Sequence, residues 1–205
     1  MMNRRLLLSL AVVCMAGTLA GCELAVIGAG GAAITSAQDR RTTGAQVDDE
    51  GIELRASNHI GSRWGDKVHV NVTSYNRTVL LTGEVPDGTV KSEIGRLVLG
   101  LPNVRGAINE LQIAGISSLP SRTNDAYITS KVKARFLDAN RFNPIHVKVV
   151  TEAGVVYLLG IVTEQEAADA VEIARTTSGV RKVIKIFEYC KPTDEVCRPP
   201  AKAKS

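Results

Sequence analysis

Aromatic side chains are scarce in this 205-residue chain, at 4% with a single Trp. Any core must therefore be built mainly from aliphatic residues. Histidine is scarcer: His59, His69 and His146 are scattered, the latter two at strand positions between apolar residues, where they read as surface or satisfied side chains. No Gly-x-Ser-x-Gly, no His-Glu-x-x-His and no paired-Cys metal pattern occurs, so the sequence offers no catalytic residue, no metal ligand and no cofactor site and reads as non-enzymatic. Charge is nearly balanced, 25 Lys and Arg against 21 Asp and Glu. That balance argues against a polyanion such as nucleic acid as the partner.

What is present begins at the N-terminus. Arg4 and Arg5 precede an apolar run from Leu6 to Leu19, too short for a spanning helix of about 20 residues but the length of a signal-peptide core. The run ends in Leu19-Ala20-Gly21-Cys22, which resembles the lipobox of bacterial lipoproteins. The resemblance implies that residues 1–21 are a removed signal peptide and that Cys22 carries the lipid. Each buried CH₂ contributes about 0.8 kcal/mol, so two or three acyl chains (palmitate in type) anchor stably where one does not. Glu23 in place of Asp implies the outer membrane, facing the periplasm.

The remaining cysteines suit an oxidising compartment. Cys14 leaves with the signal peptide and Cys22 is lipidated. Cys190 and Cys197 remain, an even number flanking Pro192, and read as a disulfide. A metal site is the alternative, with no His near and few thiols. The disulfide is expected to be a local clip in the tail, remote from any core.

Residues 22–46 read as the lipidated Cys and a flexible tether, with Gly28, Gly30 and Gly31 among alanines. The central feature of the chain is an internal repeat. Val68, Val70 and Val72 alternate with polar residues, as do Ile145, Val147 and Val149. Val79-Leu80-Leu81-Thr82-Gly83-Glu84-Val85 is matched 77 residues later by Val156-Tyr157-Leu158-Leu159-Gly160-Ile161-Val162. Turn formers, Asn76 or Ala153-Gly154, join each strand pair into a hairpin. A helix follows, Gly88 to Leu99 or Glu164 to Thr176, and then a last strand, Val104 to Ile113 or Val180 to Phe187. A helix also opens each copy, on Ile52, Ala56 and Ile60 or on Ile128, Val132 and Phe136. Asp49 and Asp125 are expected near its start, as carboxylates for free backbone N–H groups. The fold class is α+β: two tandem αββαβ units, each a three-stranded mixed sheet covered by two helices. Such a small unit is marginal alone, so contact between the copies is expected.

Val79-x-Leu81-x-Gly83-x-Val85 and Val156-x-Leu158-x-Gly160-x-Val162, with Asn124 to Thr129 and Ser178 to Val183, resemble the BON domain. The boundaries are 47–114 for the first domain, 115–123 for a linker, 124–188 for the second domain and 189–205 for a tail. The resemblance implies a non-enzymatic outer-membrane lipoprotein that binds anionic phospholipid through its second domain. It also implies a part in envelope integrity and an association with the division site. The alternative is a scaffold or assembly factor whose partner is another outer-membrane or periplasmic protein.

Charge separates the two copies. Residues 46–114 carry seven basic and nine acidic side chains, whereas residues 121–187 carry ten and seven. In the second copy Tyr127 and Lys131 stand i, i+4 beside the core positions, and Arg135 follows. An aromatic ring beside cations suits an anionic headgroup layer. Tyr127, Ile128, Lys131 and Arg135 are therefore the expected lipid-site residues, with Ile128 serving mainly the core.

Overall fold

The computed structural model describes residues 39–197; Cys22, the signal peptide and most of the tether lie outside them, as do residues 198–205. The first helix, α1 (Thr43–Trp64), starts where the Thr42 hydroxyl accepts a hydrogen bond from the Ala45 N–H. The first domain's structure thus extends before residue 47, and Asp39 to Arg41 are already engaged in ion pairs. Ala45, Asp49, Ile52, Ala56 and Ile60 form the buried stripe of α1 at helical spacing.

Strands β1 (His69–Tyr75) and β2 (Thr78–Val85) form a hairpin whose two turn residues, Asn76 and Arg77, both have positive φ (50° and 66°). That geometry matches the twist of the flanking strands. Helix α2 (Gly88–Leu99) is capped by Asp87 and crosses to β3 (Gly106–Asn109) and β4 (Gln112–Ile113), both parallel to β2. The expected single strand to Ile113 is interrupted opposite Thr82 and Gly83. Gly83 has φ 111°, and a Cβ there would lie 2.0 Å from the His69 carbonyl oxygen.

The second copy repeats the order. Helix α3 (Leu119–Ala139) is capped by Ser118, so residues 119–123 continue the helix rather than a linker. Strands β5 (Val147–Glu152) and β6 (Val155–Val162) turn through Ala153 and Gly154, again with positive φ (48° and 73°). Helix α4 (Glu164–Arg175) opens with a reciprocal box between Thr163 and Glu166, and β7 (Lys182–Tyr189) runs parallel to β6. Val155 pairs with Lys182 and Thr78 with Gly106. The crossover is thus one residue shorter in the second copy, which accounts for the shift in repeat offset.

Asp49 and Asp125 do not cap helices. Each lies inside its helix and turns its carboxylate onto the hairpin of its own domain. Asp125 accepts from the N–H groups of Ala153 and Gly154 at 2.9 and 2.8 Å. Asp49 accepts from those of Asn76 and Arg77 at 2.8 and 2.7 Å, and from the Ser74 hydroxyl at 2.6 Å. Both side chains are buried, and the positive-φ turn aims two adjacent N–H groups at them. The helix and the hairpin are thereby fixed in one register.

Each central strand is buried on both faces. Val79, Leu81 and Val85 face the helices of the first domain, and Val156, Leu158 and Val162 those of the second. The intervening residues Leu80, Tyr157, Leu159 and Ile161, with Tyr75 at the end of β1, form a third apolar layer shared by the two domains. This explains why β2 and β6 read as nearly continuous apolar runs. Each large side chain in the shared layer contributes about 1.5–3 kcal/mol. Polar bonds frame it: Asn76 donates to both oxygens of Glu188, and Lys148 donates to Glu53 at 3.0 Å.

Cys190 and Cys197 are joined by a disulfide, with Cα atoms 6.2 Å apart. The bridge is not remote from a core. Cys197 is 3% exposed and belongs to the shared layer, so the cross-link folds the start of the tail over the contact between the domains.

Candidate functional site

Helix α3 carries a long exposed face. Leu119, Thr123, Ala126, Tyr127, Ser130, Ala134 and Leu137 recur at spacings of three, four and seven, and all are exposed. Leu119, Tyr127 and Leu137 are 74%, 62% and 67% accessible. At about 1.5 Å per residue this face runs some ~27 Å. The opposite face holds Ile128, Val132 and Phe136 in the core, so the helix is anchored below and bare above.

The four expected residues divide into two kinds. Tyr127 projects outward, and the Lys131 ammonium lies 4.6 Å from the centre of its ring. The same ammonium donates to the Ser178 carbonyl oxygen at 2.5 Å. Arg181 and Lys182, both exposed, follow in that turn. Ile128 is 1% exposed and packs in the core, close to Gly179. Arg135 points to the end of α4, where it donates to the Ile173 carbonyl oxygen and to the hydroxyls of Thr176 and Thr177. A cation at a helix C-terminus satisfies orphan carbonyls and the dipole. Arg135 therefore positions α4 against α3. Leu119 and Leu137 were not singled out from the sequence, although both fall on the stripe that Tyr127 defines.

The first domain lacks this arrangement at the corresponding place; its own ring–cation pair, Arg63 over Trp64 at 4.8 Å, stands at the C-terminal end of α1. In α1 the position of Tyr127 is held by Gly51, by the spacing that aligns Asp49 with Asp125, and that of Lys131 by Arg55. Its exposed large apolar residues, Val47 and Leu54, are aliphatic.

Two clusters of ionisable groups lie between the domains. Arg40, from the segment before α1, meets Glu166 of the second domain at 2.6 and 3.0 Å and also donates to the Ile161 carbonyl oxygen. Burial pushes the Glu166 carboxyl up, but hydrogen bonds from His146, Arg40 and Thr163 together outweigh it and hold it well below the usual carboxylate range. The other cluster joins His69 and Glu84 of the first domain to Glu152 of the second. The His69 Nδ1 and Glu84 Oε2 are 2.9 Å apart, and Asn71 donates to Glu152 at 2.8 Å. Burial raises the Glu152 carboxyl, partly offset by the Asn71 bond. Tyr157, deep in the shared layer, is pushed up to about 12 by burial and by the charges of Glu110 and Glu152.

Among the described residues no helix is long and apolar enough to cross a membrane. The BON domain family model matches residues 48–115 and 124–191. The outer membrane lipoprotein DolP of Haemophilus influenzae is 41% identical over 173 residues, covering 83% of this chain and 90% of that protein. A 21 kDa hemolysin of Actinobacillus pleuropneumoniae is 33% identical, covering 74% of this chain and 79% of its own length. The osmotically-inducible protein Y of Escherichia coli is 31% identical over 56% of this chain and 58% of its own length. With two matched repeats and a relative alike over nearly its whole length, the chain belongs to the BON-domain family, as a DolP-like, dual-BON lipoprotein of the outer membrane.

Proposed function

We propose that the protein is a non-enzymatic envelope factor that docks its second BON domain on anionic phospholipid in the membrane to which Cys22 tethers it. The observation that carries this reading is the exposed face of α3, where the Tyr127 ring and the Lys131 ammonium sit together. A helix that lies in a membrane interface presents an apolar stripe with cations at its border. Leu119, Tyr127 and Leu137 supply the stripe, and Lys131, Lys133, Arg181 and Lys182 the cations. The corresponding place in the first domain has Gly51, in keeping with one working copy and one supporting copy. In this reading lipid docking serves envelope integrity, with concentration at the division site as one expression of it.

The test is binding of the full chain to vesicles of a zwitterionic phospholipid with and without phosphatidylglycerol. Wild type is expected to prefer the anionic vesicles, and added salt to weaken the preference. Near an anionic surface a cation contributes about 1 kcal/mol, so Lys131→Glu should weaken binding several-fold, and Tyr127→Ala should weaken it as well. If both variants bind like wild type, the scaffold reading becomes the better one. A Cys22→Ser background separates docking from anchoring, because that chain carries no acyl groups.

A further inference from the structure

The cluster between the domains holds two carboxylates with too little positive charge. Glu84 and Glu152 are each 6% exposed. Among the described residues neither pairs with Lys or Arg; Glu84 has His69 and the Ser117 N–H, and Glu152 has the Asn71 amide. Buried carboxylates are costly unless a cation or a proton neutralises them. The donor atoms of His69, Glu84 and Glu152 all lie within 4.8 Å of one another. A further buried group stands beside them without a partner. Thr82 is 1% exposed and its hydroxyl oxygen makes no hydrogen bond among the described residues. Thr82 is opposite Asn71 in the strand register and two residues from Glu84, hence on the same face of β2. His69, Asn71 and Glu152 also line an open cleft of about 490 Å³, which gives a path from solvent. Arg122 is the cation on that cleft, and it is occupied with the Ser117 carbonyl and hydroxyl.

We propose that His69, Glu84 and Glu152 form a binding site for a divalent transition-metal cation, zinc in type, that staples the first BON domain to the second. One imidazole nitrogen with two carboxylates is a borderline donor set, suited to Zn²⁺ over Ca²⁺ or Mg²⁺, which prefer oxygen alone. Water from the cleft completes the coordination. Two ligands come from the β1–β2 hairpin and one from the end of β5, so the cation is bound only while the domains are together. Metal binding and domain contact are thus linked, and each stabilises the other.

The experiment is equilibrium dialysis of the full chain in detergent against zinc chloride after treatment with a chelator, with bound metal counted by mass spectrometry. Wild type is expected to take up one equivalent. His69→Ala and Glu152→Gln should each lose affinity at least about tenfold, a loss seen even for residues that only support metal ligands. His59→Ala, on the exposed surface of α1 and outside the site, should bind like wild type. Zinc should raise the wild-type Tm and leave that of Glu152→Gln unchanged. The Gln variant is isosteric, so it keeps the test decisive should His69→Ala fail to fold. Absence of stoichiometric uptake by wild type overturns the proposal, as does wild-type affinity in both variants. A Glu152→Gln chain more stable than a wild type that takes up no zinc assigns the neutralising role to a proton.

Discussion

The Arg40 guanidinium clasps the Glu166 carboxylate at 2.6 and 3.0 Å across 126 residues of chain, so the segment that leads from the membrane into the first domain is fastened to the second. Both side chains are mostly buried. Removing one partner of a buried pair strands the other, at about 3 kcal/mol. Arg40→Ala should therefore lower the Tm at neutral pH. Glu166 is held below its ordinary value in the folded state, so its contribution is complete above the unfolded carboxyl value and is lost as the pH falls toward the folded one. Stability measured from pH 7 downward should fall in the wild type below about pH 4, and less steeply in Arg40→Ala.

Asp125→Asn should destabilise the second domain. One carboxylate oxygen becomes an NH₂ donor facing a backbone N–H, and hydrogen bonds to a charged acceptor contribute about 1.5–3 kcal/mol. Asp49→Asn should cost at least as much, since Asp49 also holds the Ser74 hydroxyl and Arg41. Urea unfolding of the two variants checks this, and an effect confined to helix fraying would contradict the role in the turn.

Reduction of the Cys190–Cys197 bridge should lower the Tm measurably. A disulfide of this kind contributes about 2–4 kcal/mol, and here the cross-link also holds Cys197 in the shared layer. Comparing scans with and without reductant, and with Cys197→Ser, gives the effect; coincident transitions would show that the bridge is only a local clip.

Tyr127 and Ile128 are neighbours in sequence with opposite fates. Ile128→Ala should cost about 2–5 kcal/mol through the cavity it leaves. Tyr127→Ala should stay within about 0.5 kcal/mol of wild type. Denaturant midpoints for the pair test whether the α3 face is free of structural duty.

The repeat was legible because its strands and helices carry period-two and helical apolar patterns on one face, and Gly83 and Gly160 mark where backbones meet. The start of α3 was not, because Leu119 to Asn124 lacks a buried stripe and Ser118 resembles any loop serine. Asp49 and Asp125 were read as caps from residue type; only the fold brings a turn nearly 30 residues away onto them. The shared layer left a trace in the apolar residues of both parities in β2 and β6. His69, Glu84 and Glu152 left none, since residues far apart in sequence meet only when two domains dock. Of the four residues expected at a lipid site, type and spacing placed Tyr127 and Lys131 together beside the exposed face of α3, but Arg135 has a structural bond that no sequence pattern encodes.

Strands β2 and β6 have no face to spare, and this governs the order in which the chain can mature. The N-terminal repeat is made first and tends to fold first. Until residues 155–162 arrive, Tyr75 and Leu80 lie bare, and the sheet cannot tell its own second repeat from that of a neighbouring chain. Severing the repeats makes that state permanent. A lone second repeat would present Tyr157, Leu159 and Ile161 to solvent and cover them with another copy of itself. Single-repeat fragments of this protein should therefore sediment as self-associating species, held by a face that the intact chain covers with its own other repeat.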